Sequence, residues 1–308
     1  MQNVLAGIGN TPMVELQKVV PPDSARVVVK LEWANPTGSM KDRMALAAIG
    51  RAELRGDLAP GGTVVEYTAG TTGISLAFVC AAKGYEIDIV YSDAFSDEKR
   101  RTMEAYGARI TDVKSDGGRI TADLVKAMVA AAGEISRRPG HWYCDQLNNH
   151  DAIEGYLPIG EELWRQSEGK IDAFVHSVST AHSIHGVTKA LWAHDDRILI
   201  VAVEPAESAV LSGGPSGAHK IEGIGVGFVP PLWQRELVHE IETVSTDEAK
   251  AMARRLAREE GIFAGASSGA NVAAALRVAQ RLGPDRTVAT LIVDSGLRYL
   301  STDVFARG

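Results

Sequence analysis

Asn35-Pro36-Thr37-Gly38-Ser39-Met40-Lys41-Asp42-Arg43 joins a turn to the start of a helix. Asn35-Pro36 and Gly38 bend the chain. Ser39 with Asp42 reads as a capping pair, and Met44, Ala45, Leu46, Ala48 and Ile49 continue an apolar helical face. This places the Lys41 amine beside the positive end of a helix dipole, which disfavours the ammonium and predicts a lowered pKa. Such an amine can form a Schiff base with an aldehyde cofactor. The competing reading is an ordinary solvated lysine in a charged first turn. The rest of the chain decides between them.

Working outward, Val- and Ile-rich runs alternate with helical segments. The runs are Arg26 to Leu31, Thr63 to Tyr67, Glu86 to Tyr91, Ala173 to Val178, Ile198 to Val203 and Val288 to Val293. Ala-rich helices such as Ile74 to Lys83 and Asp247 to Glu259 lie between them. Alternating β and α units predict an α/β fold, an open and mostly parallel sheet with helices on both faces. Ligands in such folds bind at the carboxyl ends of the strands, in loops that lead into helices. With 308 residues, 45% of them hydrophobic, the chain is long enough for two lobes. A net charge of -7 argues against nucleic-acid or membrane-surface partners. No apolar run has membrane-spanning length, and Met1 to Leu5 does not read as a signal peptide, so a cytoplasmic protein is expected. Cys80 and Cys144 read as buried free thiols.

Four loops rich in Gly, Ser and Thr open helices. One holds Lys41. The second, Thr68-Ala69-Gly70-Thr71-Thr72-Gly73, offers hydroxyls and free N–H groups to an anion such as a carboxylate. The third, Ser179-Thr180-Ala181-His182-Ser183, reads as a phosphate cradle of three hydroxyls, an imidazole and a helix N-terminus. The fourth is Gly265 to Asn271. Together they predict one site for an anionic amino acid and a phosphorylated cofactor. His182 and His185 can share a helix face, but no carboxylate or cysteine joins them at ligand spacing, so no metal site is expected. The fourth loop also matches Gly-x-Ser-x-Gly, yet no histidine follows Ser268, so the usual order of a serine hydrolase fails. Gly223-Ile224-Gly225-Val226-Gly227 has the wrong spacing for a dinucleotide fingerprint.

These stretches, in order, resemble the motifs of the cysteine synthase (O-acetylserine sulfhydrylase) and cystathionine β-synthase family of pyridoxal-phosphate enzymes. Ile8 to Val14 resembles its opening motif and Asn35 to Arg43 its Schiff-base motif. Ser96 to Arg100 with Gly107-Ala108, Leu211 to Gly214, His219 to Gly225, Ser267 to Asn271, and Asp294 to Gly296 with Arg298 to Thr302 follow in sequence. The resemblance implies the two-lobed tryptophan-synthase-β-like fold, fold type II. It implies a smaller mobile substrate-binding domain over 37–146 and a larger cofactor-phosphate-binding domain over 1–36 and 147–308. It implies pyridoxal 5'-phosphate on Lys41, which then serves as the base for the substrate's α-proton. Ser267, or as the second choice Ser268, would face the pyridine nitrogen. Ser179, Thr180, Ala181, His182 and Ser183 would hold the phosphate, and Thr71 would lie at the ring. Thr68, Ala69, Gly70, Thr72, Gln146 and Gly225 would bind the substrate. A neutral hydroxyl at the pyridine nitrogen makes a weak electron sink, which favours loss of a β-leaving group over transamination.

The chain departs from the family pattern. Thr71 stands where the family has an asparagine. Ser179 to Ser183 replaces Gly-Thr-Gly-Gly-Thr, Leu297 replaces an acidic or polar residue, and Asn149 to Tyr156 is one residue shorter. A side chain at a positive-φ glycine position costs about 1 kcal/mol. His182 either donates to the phosphate or fills the cradle. The resemblance implies β-replacement on an O-activated L-serine through an aminoacrylate, with sulfide or another nucleophile. Net β-elimination and a catalytically degenerate binding paralogue are the other two readings. It further implies a homodimer and a cleft that can take the C-terminal peptide of a partner protein.

Overall fold

A computed structural model describes residues 3–306. Its strands are β1 (Met13–Glu15), β2 (Arg26–Leu31), β3 (Thr63–Tyr67), β4 (Glu86–Ser92), β5 (Arg109–Val113), β6 (His141–Tyr143), β7 (Ala173–Ser177), β8 (Leu199–Pro205), β9 (Glu240–Val244) and β10 (Thr287–Ile292). Its helices are α1 (Lys41–Arg55), α2 (Thr71–Lys83), α3 (Asp97–Ala105), α4 (Ala122–Ser136), α5 (Asp151–Glu154), α6 (Leu157–Gln166), α7 (His182–His194), α8 (Thr246–Arg255) and α9 (Ala266–Leu282). The strands form two sheets: a six-stranded one in the order β1-β2-β10-β7-β8-β9 and a four-stranded one in the order β5-β4-β3-β6. Every pairing is parallel except β1 on β2. The α/β architecture is therefore as expected, divided over two sheets.

The six Val- and Ile-rich runs become β2, β3, β4, β7, β8 and β10, and all six are interior strands. A strand covered on both faces must be apolar throughout, so its sequence announces it. The four remaining strands, β1, β9, β5 and β6, are the four sheet edges. Edges need fewer apolar residues and carry charge, as Glu240 and Glu242 do in β9 and Arg109 and Asp112 in β5.

Two helix boundaries differ from expectation. α2 begins at Thr71 rather than Ile74, so half of the Thr68 to Gly73 loop is helix. α8 ends at Arg255 and passes into a π-helical turn, Leu256–Glu260, closed by Gly261 at φ 70. The expected capping pair is half right. Ser39 Oγ accepts from the Lys41 N–H at 3.2 Å, but Asp42 does not reach back to Ser39. Its carboxylate instead accepts from the Thr37 N–H (2.8 Å), the Thr37 hydroxyl (2.5 Å) and the Ser75 hydroxyl (2.6 Å). That ties the α1 start to α2.

α8 packs against α9 at a glycine. A Cβ added to Gly269 would sit 2.0 Å from the Ala249 carbonyl oxygen. The approach fixes the start of α9, where Ser267 and Ser268 lie. Gly269→Ala is expected to destabilise the fold by about 1–3 kcal/mol, from overpacking that rotamer changes cannot relieve. Urea unfolding measures it, and an unchanged midpoint would mean α8 and α9 are free to separate.

Candidate active site

Lys41 opens α1 in a position set by a buried charge network. Arg43, two residues on, donates to both Glu32 oxygens (2.7 and 2.8 Å) and both Glu162 oxygens (2.8 Å each). Lys30 pairs with Glu162 at 2.8 Å, and the Thr11 hydroxyl donates to Glu32 at 2.6 Å. Burial alone would raise the Glu162 pKa, but Arg43 and Lys30 outweigh it and hold it at about 2. The network joins β2, α6 and the first turn of α1.

The Lys41 amine is lowered from 10.5 to about 8. Burial is the cause, opposed by the nearby Asp294 carboxylate. The direction matches the sequence reading, but the physical reason is desolvation rather than the helix dipole. Lys41 Nζ lies 5.8 Å from the Tyr156 ring centroid. The burial of Asp294 raises its own pKa, and the Tyr299 hydroxyl donates to it at 2.7 Å.

Lys41 lines two joined chambers at the carboxyl ends of both sheets. The first also takes in Thr68, Ala69, Gly70, Thr71, Thr72, Gln146 and Gly225. The second takes in Ser183 and Ser267. Thr71, Ser179 and Thr180 border both. The expected site residues thus converge from distant loops, with two exceptions. The side chains of Ala181 and His182 are not among the chamber walls. His182 is folded into the protein, its Nδ1 2.8 Å from the Thr180 hydroxyl. Burial and then Lys41 lower its pKa to about 3, so it is neutral. Its imidazole does not fill the chamber, and its buried Nε2 has no hydrogen-bond partner among the described residues. Strain in this loop falls on Ala181, which takes φ 71, and costs about 1 kcal/mol.

Each loop has a distinct internal economy. The Thr68 hydroxyl accepts from the Gly70 and Gly73 N–H groups (2.9 and 3.2 Å), knitting its loop. The N–H groups of Thr71 and Thr72, in the first turn of α2, have no intrahelical acceptor and are available to an anion. Gln146 is locked beside them: its Nε2 donates to the Tyr67 carbonyl (2.7 Å), and its Oε1 accepts from the Thr72 hydroxyl (3.0 Å). The structure also separates the two serines. Ser268 Oγ accepts from the Val293 N–H at 2.9 Å and is fully buried, whereas Ser267 faces the chamber.

Sequence reasoning gave no role to Lys99, Glu222, Asp294 or His176. Lys99 lies across the Thr68 to Gly73 loop, with its Cδ 2.4 Å from where a Gly70 Cβ would be. Its ammonium pairs with Glu222 and sits 4.6 Å from the Tyr299 ring centroid. A neighbouring cavity of about 450 Å³ meets the Lys41 chamber at Ile120, His219 and Glu222. Lys99, Glu222 and Asp294 fall within recognised motifs, yet only tertiary contact reveals their surroundings.

These groups fit a pyridoxal phosphate. A buried amine poised near neutrality stands between an anion-binding end and a lone hydroxyl. The anion end has the Ser179, Thr180 and Ser183 hydroxyls and the α7 N-terminus.

The chain is similar to known proteins over nearly its whole length. The family described as pyridoxal-phosphate dependent enzyme matches residues 4–294. A cysteine synthase of Staphylococcus aureus is 44% identical over 308 residues, covering 99% of this chain and 97% of that protein. The solved cysteine synthase of Entamoeba histolytica superposes with a TM-score of 0.92 at 34% identity, covering 100% of this chain and 92% of that one. A solved O-ureido-L-serine synthase gives 0.93 at 35% identity, covering 99% and 95%. The chain belongs to the pyridoxal-phosphate dependent enzyme family.

The lowered amine makes a pH prediction. In protein freed of cofactor, Lys41 titrates near pH 8 rather than 10.5, read by NMR of isotopically methylated lysines. Between those values the unfolded chain holds a proton that the folded chain has released, so stability from this group rises with pH. The gain over that window is about 3 kcal/mol, taken as the difference between wild type and Lys41→Met. A midpoint at 10.5 would mean the amine is solvated.

Proposed function

From membership of that family, we propose a pyridoxal-phosphate enzyme of the cysteine synthase type. It performs β-replacement on an O-activated L-serine, O-acetylserine in the first instance. Sulfide is the default nucleophile, and similarity to an O-ureido-L-serine synthase supports a non-sulfide one. The observation that carries this reading is the buried Lys41 amine, lowered to about 8, in one chamber with Ser179, Thr180, Ser183 and Ser267.

Bound pyridoxal phosphate supplies an electron sink that makes the substrate's α-proton labile and lets a β-substituent leave. The protein's residues do the rest. Ser179, Thr180, Ser183 and the α7 N-terminus hold the phosphate, and Ser267 meets the pyridine nitrogen with a neutral hydroxyl. The Thr71 and Thr72 N–H groups and Gln146 bind and orient the substrate carboxylate. Lys41 Nζ takes the α-proton, acetate departs with the Cβ–O electron pair, and the nucleophile adds at Cβ. The proton then returns to Cα. Lys99, lying across Gly70 and paired with Glu222, excludes water from above.

The segment 37–146 serves as the smaller, mobile substrate lobe and the remainder as the cofactor lobe. Support comes from the four-stranded sheet, which lies wholly within 63–143. We further assign a cytoplasmic homodimer whose cleft can take a partner's C-terminal peptide. Among the described residues no helix is long and apolar enough to cross a membrane, and the net charge is -7.

The test is absorbance and product analysis. Adding O-acetylserine to the purified protein is expected to shift the cofactor band and release acetate, and cysteine appears once sulfide is supplied. Pyruvate and ammonia in quantity, even with sulfide present, would favour β-elimination. A protein that takes up no pyridoxal phosphate and releases no acetate would be the binding paralogue.

A further inference from the structure

Behind the Ser179 to Ser183 loop lies a buried relay that the mechanism above does not use. Asn271, on α9, accepts from the Ser177 N–H at 2.7 Å and donates to the Leu291 carbonyl at 2.9 Å. Those two backbone partners fix which end of the amide is which. Asn271 Nδ2 then lies 3.2 Å from His176 Nδ1. An amide nitrogen only donates, so His176 Nδ1 accepts, and the neutral imidazole carries its proton on Nε2. Nε2 lies 2.8 Å from Ser183 Oγ and therefore donates to it. A hydroxyl that accepts in this way keeps its own proton to give. Ser183 borders the Lys41 chamber, and among the described residues its hydroxyl proton has no acceptor. The imidazole stays neutral because burial, with Lys41 adding to it, lowers its pKa to about 3.

We propose that His176 is a positioning residue which, through Ser183, aims an O–H donor at the cofactor's phosphate group. Asn271 sets the tautomer, the tautomer sets the direction of the His176–Ser183 hydrogen bond, and that direction leaves Ser183 a donor rather than an acceptor. A phosphate dianion only accepts, so the direction matters. Ser183 is thereby fixed as a donor by side chains, in a loop where Ser, Ala and His replace the glycines expected there. His182, the imidazole that adjacency in sequence suggested, is not part of this relay. The inference rests on the pyridoxal-phosphate reading.

The test compares pyridoxal phosphate with pyridoxal, which lacks the phosphate, for binding to cofactor-free wild type, Ser183→Ala, His176→Leu, His176→Gln and the Ser183→Ala/His176→Leu double variant. Ser183→Ala and His176→Leu are each expected to weaken pyridoxal phosphate about tenfold or more, the loss of one charge-assisted hydrogen bond, and to leave pyridoxal unchanged. The double variant is expected to be no weaker than Ser183→Ala alone, because His176 acts only through the Ser183 hydroxyl. His176→Gln, which can place a donor near the Nε2 position, is expected to recover most of the affinity. Equal losses for both ligands, or additive losses in the double variant, would overturn the relay while leaving the cofactor reading intact. If His176→Leu does not fold, Ser183→Ala and His176→Gln still decide: an unchanged preference for phosphate in Ser183→Ala overturns the proposal. Wild type that binds neither ligand overturns the cofactor reading and this inference together.

Discussion

One buried guanidinium fixes where the chemistry happens. Arg43 holds Glu32 at the end of β2 and Glu162 on α6, and Lys30 completes the set. Removing one member of such a set leaves a buried charge without its partner, at a cost of about 3–5 kcal/mol. Hydrophobic packing would hold α1 as firmly but would leave its register about the helix axis less defined. Bidentate bonds to two carboxylates fix that register, and with it the direction of Lys41 two residues earlier. Asp42 adds a second anchor through Thr37 and Ser75, tying the same turn to α2, which packs on the four-stranded sheet. Lys41 therefore sits where the two sheets are joined.

The ionisable groups Lys41, Lys99, Glu222 and Asp294 line the two chambers. The anion-binding end is made of hydroxyls and helix N–H groups, and among the described residues Lys41 is the one cation of the inner chamber, Lys99 lining the outer one. The two imidazoles behind it are buried and neutral, His176 and His182 both at about 3. Neutral donors let the amine of Lys41 lose its proton near pH 8 without the opposing pull of a close ion pair. Asp294, the nearby carboxyl, is pushed upward by its own burial and weakens that pull further. The ion pair of Lys99 with Glu222 sits over the Thr68 to Gly73 loop at the junction with the neighbouring cavity.

Much of this was legible in the sequence, and the parts that were not have a common cause. Interior strands such as β2 and β10 announce themselves because burial on both faces demands continuous Val and Ile. Edge strands such as β9 do not, because half their surface is free to be charged. The lysine's lowered pKa was legible in direction. Its cause was not, because the groups that bury Lys41, Tyr156 among them, come from far along the chain. Ser267 and Ser268 cannot be told apart by spacing alone. The difference appears only when Ser268 meets the Val293 N–H. The imidazoles show the same limit. His182 lies within the Ser179 to Ser183 loop, yet its side chain is buried against Thr180 and is not among the chamber walls. His176 ends up behind the loop because Asn271, 95 residues on, holds it there.

The central claim is that Lys41 carries the cofactor, and chemical trapping tests it most directly. Borohydride reduction of the holoprotein, followed by digestion and mass spectrometry, is expected to place a phosphopyridoxyl group on the peptide that contains Lys41 and on no other. Label on Lys99, which borders the same chamber, or on no lysine at all, would contradict the account.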